Sequence, residues 1–300
     1  MSAASISPST MFIWIALAMF AVASAKGANA ETTPDMAKLT PENAALAARA
    51  LDFMDKMNDI YFDAADRLNG DQNRIEEQFI DNDSGTWDTK VARGPVMEKA
   101  GRILTVVKKP TFQPESLWTR YFVMTVHPKT PLVGIMQASL IIQFYPDGTS
   151  ALMGVIDVMV TAMSQEDLDE IKRAVEVVYQ AHGVDGEKHR RKACEASPDQ
   201  NHTYHRRSAC VGGGFFGREM MSVNEENFNF YTEAYQTFVE AYLNVLERRK
   251  DDTYTEEDVS AQDAMRKNWF EDRLFVDPNT TQFTPYEIWS LYSLPPTVKF

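Results

Sequence analysis

Cysteine is scarce in this chain: Cys194 and Cys210 are the only two among 300 residues. They form no CxxC pair and no zinc-ligand spacing, which excludes the usual redox and zinc-ribbon motifs. Two readings of the pair stay open: a disulfide closing the short loop between them in an oxidising compartment, or two ordinary packing thiols. Basic charge is also short, with 30 Lys and Arg against 43 Asp and Glu, a formal charge of -13. That balance argues against nucleic acid as a partner, because phosphate binding wants a net basic face. A polyanionic ligand would need a local basic pocket that outweighs the global field. Long apolar runs are missing with one exception, the 15 residues from Met11 to Ala25. That run is short for a hydrocarbon core of about 30 Å, and Ala23-Ser24-Ala25 and Ala28-Asn29-Ala30 both fit small-residue cleavage sites. Met1 to Thr10 holds no Lys or Arg, so the positive charge at the leader's start rests on the α-amino group. Residues 1–30 read as a signal peptide, and the mature protein as periplasmic or secreted, with no stable membrane insertion after cleavage. Removing that leader, whose only charged side chain is Lys26, leaves the chain one unit more acidic.

Internal repeats, low-complexity tracts and coiled-coil heptads are absent too, and no break in composition divides the chain. With 44% hydrophobic residues it can bury one sizeable core, which predicts a single domain over 31–300, with residues 26 to 40 as a flexible linker. Four helix starts are marked. Thr40-Pro41 precedes an apolar face running from Leu46 through Phe53, Met57, Ile60, Tyr61 and Ala64 to Leu68, ended by Asn69-Gly70. Ser164 with Asp167 opens a helix that stops at His182-Gly183. Ser222 with Glu225 reads as a capping box ahead of the stripe Phe228, Tyr231, Tyr235, Phe238, Tyr242 and Val245, and Thr255 with Asp258 opens a fourth helix towards Trp269. Between them, Arg102 to Val107, Trp118 to Val126, Gly134 to Phe144 and Thr149 to Val160 are β-branched or aromatic runs, the last two joined at Pro146-Asp147-Gly148. Consecutive strands on short connections imply antiparallel pairing. The fold class is therefore α+β, a broad antiparallel sheet flanked by helices.

Three segments stand in a familiar order: Arg93-Gly94-Pro95-Val96-Met97-Glu98-Lys99-Ala100-Gly101, Glu247-Arg248-Arg249-Lys250-Asp251-Asp252-Thr253-Tyr254-Thr255, and Ser293-Leu294-Pro295-Pro296. His127-Pro128-Lys129-Thr130-Pro131 and Cys210-Val211-Gly212-Gly213-Gly214-Phe215-Phe216 fall between them at matching spacing. Together they resemble the oxygen-dependent coproporphyrinogen III oxidases. The resemblance implies a homodimer and oxidative decarboxylation of two porphyrinogen propionates to vinyl groups. Molecular oxygen would be the co-substrate, with no flavin, haem or other cofactor. Familiar members work in the cytosol, mitochondrion or plastid, so an exported member departs from the pattern.

Such chemistry needs an acid facing pyrrole N–H groups, cations that hold carboxylates, and a dry cavity. Asp157 falls where the family carries its acid and is the candidate catalytic residue. An isolated Asp between Ile156 and Val158 costs free energy to bury without a partner. It is either a pocket acid or a cap on a neighbouring backbone. On the strand after His127-Pro128 the family's His, Asn and Arg at alternate positions become Gln137, Ser139 and Ile141. Its Gly-Gly-Arg before the terminal motif becomes Thr284-Pro285-Tyr286, and its Asn after Glu-Phe falls opposite Arg273, a cation in a new place. Candidate ligand contacts are Gln137, Ser139, His205, Arg206, Arg207 and Tyr286. The stretch Lys188-His189-Arg190-Arg191-Lys192 reads as a basic loop, either ligand-facing or solvated. His127 and His205 match two of four histidine positions proposed as metal ligands in part of the family. The other two hold Gln137 and Lys172, so no metal site is expected, and His127 reads as a strand-end hydrogen bonder. Gly212 to Gly214 lacks the Gly-Lys-Ser/Thr end of a P-loop and reads as close backbone packing or an anion-accepting turn. Two functional readings follow, an oxidase acting on a tetrapyrrole and a non-catalytic protein that binds a tetrapyrrole or other hydrophobic ligand in the old cavity.

Overall fold

The computed structural model describes residues 34–109, 115–195, 197–198 and 201–300. The proposed leader lies outside the described residues. Of the expected linker, Pro34–Lys38 forms a turn of 3-10 helix that is tied down rather than free, with Met36 in the core and Asp35 paired with Arg120 at 2.9 Å.

The first long helix, α1 (Pro41–Asn69), starts where expected: the Thr40 hydroxyl accepts from the Asn43 amide and Pro41 occupies the first turn. Seven strands follow in one sheet, β1 (Arg74–Asp81), β2 (Gly85–Arg93), β3 (Met97–Val107), β4 (Trp118–Pro128), β5 (Ile135–Phe144), β6 (Ser150–Met159) and, after an excursion, β7 (Gly213–Phe215). Their spatial order equals their chain order and every pairing is antiparallel. Between β6 and β7 lie α2 (Gln165–Ala181) and α3 (Gly186–Cys194); α4 (Glu225–Arg249), α5 (Glu256–Phe275), α6 (Pro278–Gln282) and α7 (Tyr286–Tyr292) complete the chain. The stretch expected as a basic loop is mostly α3, capped by Asp185, because Lys188 to Lys192 form part of its turns rather than an irregular segment. The N-cap of α4 is Asn224, which accepts from Asn227, and not Ser222; Ser222 instead accepts from the Asn224 amide group. Ser164 and Thr255 cap as read, the latter in a reciprocal box with Asp258.

Alternation along the strands sends two sets of side chains to opposite faces. Met136, Ala138, Leu140, Ile142 and Phe144 of β5 pack with α1, α2 and α4 in the main core. The aromatic stripe of α4 belongs there, and its hydroxyls reach the sheet backbone: Tyr231 donates to Ser139 O at 2.5 Å, Tyr235 to Ala138 O at 3.1 Å and Tyr242 to Gly134 O at 2.8 Å. Each buried hydroxyl thereby keeps a partner, which removes the cost of leaving it dry and unpaired. On the opposite face α7 covers Trp87, Val91, Ile103 and Val123 with Ile288, Trp289 and Tyr292, while α5 covers Ile135 and Met159 with Met265 and Trp269.

The nonapeptide and the terminal motif meet between these layers. Asn69, at the end of α1, accepts from the amides of Val96 and Met97 and thereby fixes the β2–β3 turn. Gly101 has no room for a side chain, since a Cβ there would stand 2.2 Å from Tyr292 O of α7. Lys99 is buried and donates to the carbonyls of Ser290 and Leu294. Burial lowers its pKa to about 7. The run from Glu247 closes the other end: Arg248 and Arg249 both grip Asp167 of α2, at 2.7 and 2.9 Å.

Candidate functional site

Between the two apolar clusters of the second face runs a polar row. Register places Gly101 opposite Thr125, Thr125 opposite Gln137 and Gln137 opposite Asp157, so one line crosses β3 to β6. Ser139 lies in the next row and holds the Val155 backbone in both directions, accepting from Val155 N at 2.9 Å and donating to Val155 O at 3.3 Å. Beyond it Ile141 pairs with Met153; these two and Val155 are only partly buried, an apolar floor beside the polar row. Gln137 is 9% exposed at the edge of this floor.

Asp157 is fully buried. Ser208 Oγ donates to its Oδ2, as does the Cys210 amide at 2.9 Å; the Val211 and Gly212 amides donate to Oδ1 at 2.9 and 3.4 Å. Local backbone geometry explains this arrangement. Ser208 bridges to Met159 and Gly213 pairs with Ile156, so five steps of one strand face three steps of β6 and the surplus bulges. Within the bulge Cys210 has φ 58°, which turns three successive amides inward as an anion-accepting nest. The anion it accepts is Asp157 itself. Burial pushes the carboxyl pKa up, while Ser208 and the nest amides pull it down, and the net direction is upward. Of the two sequence readings of this residue, the geometry realises the backbone cap; of the four donors, only the Ser208 hydroxyl can rotate away.

Two constraints hold the bulge. Cys194, at the end of α3, and Cys210 form a disulfide with Cα atoms 5.4 Å apart, the first of the two readings of the cysteines. The glycines supply close approach: a Cβ on Gly212 would meet Ile156 O at 2.0 Å and one on Gly213 would meet the Tyr179 hydroxyl at 2.2 Å. Close packing and an anion-accepting turn are thus one feature.

The remaining candidates divide. His205 and Arg206 are drawn in by Asp272 of α5, which is fully buried and accepts from His205 N at 2.8 Å, His205 Nδ1 at 2.9 Å and Arg206 N at 3.1 Å. The Arg206 side chain is buried against Trp269 and Tyr204. Arg207 is exposed, and its carbonyl accepts from Val160 N. Tyr286, 61% exposed at the start of α7, stacks edge-on against Trp289 and belongs to the other end of this face. Of the basic residues on α3, Arg190 pairs with Glu176 and lies over Tyr179, Lys188 pairs with Glu219 and Lys192 with Glu195. Arg190 is itself buried, so the run is not simply a solvated loop, and these cations are held in ion pairs on or beside α3.

His127 is the strand-end hydrogen bonder that its place before Pro128 implies: its Nε2 lies 3.0 Å from Ser293 O, with the ring edge-on to Trp269. Burial, with Lys99 nearby, holds its pKa well below the usual range, so the ring is neutral. Trp269 Nε1 donates to the same carbonyl at 2.8 Å. Asp272, Trp269 and the surroundings of Arg273 do not stand out in the sequence, because the segment that resembles a strand motif forms the last turns of a helix. Its sequence signal is the i, i+4 set Trp269, Arg273, Asp277.

Among the described residues no group of three or more His, Cys, Asp or Glu is placed to hold a metal ion, and no helix is long and apolar enough to cross a membrane. No curated protein matches the chain in a sequence comparison. The family model described as coproporphyrinogen III oxidase does match, over residues 49–300, from within α1 to the last residue. That span takes in the whole sheet, the Asp157 nest and the terminal motif, and the chain belongs to the coproporphyrinogen III oxidase family.

Proposed function

We propose that the protein binds a porphyrinogen-type tetrapyrrole over the polar row of the second sheet face and oxidatively decarboxylates its propionates. In balance, each propionate loses carbon dioxide and two hydrogens to become a vinyl group, and one oxygen molecule takes the two electrons and two protons to become hydrogen peroxide. The protein would act as an exported homodimer without a resident cofactor. The observation that carries this reading is the lane Thr125, Gln137, Asp157 beside the partly open floor of Ile141, Met153 and Val155, within a chain of this family. A flat, largely apolar macrocycle with polar N–H groups suits such a lane. Gln137 would accept from or donate to the ring, Ser139 would hold the floor strand in place, and His205, Arg206, Arg207 and Tyr286 would meet peripheral groups. Asp157 would accept a pyrrole N–H once the Ser208 hydroxyl turns away.

A second reading, a non-catalytic protein that binds a tetrapyrrole or other hydrophobic ligand, is favoured by one observation: the Asp157 carboxylate is already engaged by four donors. The full chain mixed with coproporphyrinogen III under air separates the two. Vinyl product with matching oxygen uptake supports the oxidase. Ligand binding without product leaves only the binding protein, and neither product nor binding removes both.

A further inference from the structure

Two guanidiniums are buried against one indole on the second face. Arg206 and Arg273 are 5% and 3% exposed, and their guanidinium carbons lie 5.2 and 4.5 Å from the Trp269 ring centroid. The carboxylates near them are occupied. Asp272 accepts from three N–H groups of His205 and Arg206, and Arg206 Nε stands 3.7 Å from it, within ion-pair range but beyond a hydrogen bond. Asp277 takes Arg273 Nη1 on one oxygen and the Asn279 amide on the other. What remains is unusual for a folded interior: Nε and Nη1 of Arg206, and Nε and Nη2 of Arg273, are buried with no hydrogen-bond partner among the described residues. Buried charged donors left unmatched are among the most costly groups in a protein, and such positions call for a missing acceptor. Burial and the neighbouring Arg273 both lower the pKa of Arg206, the direction expected of like charges held close in a dry place.

We propose that Arg206 and Arg273, oriented by Trp269, form a carboxylate-binding site that receives the acidic side chains of the ligand. Guanidinium is the suitable group, because its planar fork meets a carboxylate with two parallel bonds and stacks on an aromatic face. Trp269 is itself fixed by its bond to Ser293 O, so the arginines are placed before a ligand arrives. Arg206 comes from the segment that leads into the bulge and Arg273 from the last turn of α5, so the site lies on the α5 side of the second face. A ligand that lies over Gln137 would therefore present its carboxylates towards α5 rather than along β5. The assignment of those carboxylates to a tetrapyrrole rests on the proposed function; the site itself does not.

The test uses the full chain and two probes. Sodium propionate, compared with sodium chloride at equal ionic strength, should raise Tm by a few degrees as a ligand of the folded state alone. Arg273→Gln and Arg206→Met should each abolish that difference, whatever their own Tm. No difference in the native chain, or a difference kept in both variants, overturns the proposal. The second probe is a porphyrin with free propionates against its full ester. Native protein should prefer the free acid, and each variant should lose about ten- to a hundredfold of acid binding with ester binding unchanged. Stabilisation by propionate without porphyrin binding would keep the anion site and remove the tetrapyrrole reading.

Discussion

Replacing Asp157 measures what a buried carboxylate does when its partners are backbone amides. Asp157→Ala removes the acceptor from three amides and one hydroxyl at once, around a carboxylate that is itself fully buried. A hydrogen bond to a charged group contributes about 1.5–3 kcal/mol, and a buried donor left alone costs about 1–3 kcal/mol. These terms are not additive, because the released segment can relax and rehydrate, so the expected loss is about 3–5 kcal/mol, the range for breaking a buried charged network. Asp157→Asn keeps one oxygen, enough for the Val211 and Gly212 amides, but turns an NH2 towards the Cys210 amide. About half the loss is expected for it on the same per-bond figures. Equilibrium urea denaturation followed by tryptophan fluorescence reads both, with the slope as a check that the unfolded state is unchanged. An Ala variant within about 1 kcal/mol of the native chain, below a single charged hydrogen bond, would refute the claim that this carboxylate holds the bulge. Amide exchange gives an independent reading: Cys210, Val211 and Gly212 should lose protection before β4 and β5 do.

Reducing the Cys194 to Cys210 disulfide should cost about 3 kcal/mol for a loop of this length; combined with Asp157→Ala by a Cys194→Ser, Cys210→Ser background, the losses should fall short of their sum, because both hold the same segment, and strict additivity would contradict that coupling. Lys99 predicts an unusual alkaline gain. Its pKa falls from 10.5 to about 7 on folding, so between those values the unfolded chain binds a proton that the folded chain does not, and stability rises with pH across that window. The rise is of order 5 kcal/mol if the whole shift is expressed, while below about pH 7 the contribution is flat. Urea midpoints from pH 6 to 10 check this; Lys99→Met should flatten the profile, and an equal slope in the variant would assign the effect elsewhere.

Much of the architecture is legible in local signals. Thr40-Pro41, Ser164 and Thr255 mark helix starts because each supplies an oxygen to an orphan amide, and the middle strands declare themselves by β-branched and aromatic runs. β1 escapes because its residues are mostly exposed and carry charge, the pattern of an edge strand with little core to imprint a period. Ser222 misleads because Asn224 lies two residues on and makes the capping bond from there, directly before the helix. α7 is short and hidden in an apolar run whose periodicity fits a strand as well as a helix. The site is harder. Asp157 could be singled out from its apolar surroundings, but its partners come from 51 to 55 residues away and depend on a bulge that no local pattern announces. Arg206 and Arg273 differ from surface arginines only by what tertiary contact does to them.

The central claim is that the lane across β4 to β6 is where the ligand lies, and Gln137→Trp tests it by placing an indole in the lane at the position that borders the partly open floor. Titration of a free-acid porphyrin into the full chain, followed by the shift of its main absorption band, should give saturable one-to-one binding for the native protein. For Gln137→Trp, with the urea midpoint preserved, it should give at least tenfold weaker binding. No binding to the native chain, or equal binding by the folded variant, would contradict the account.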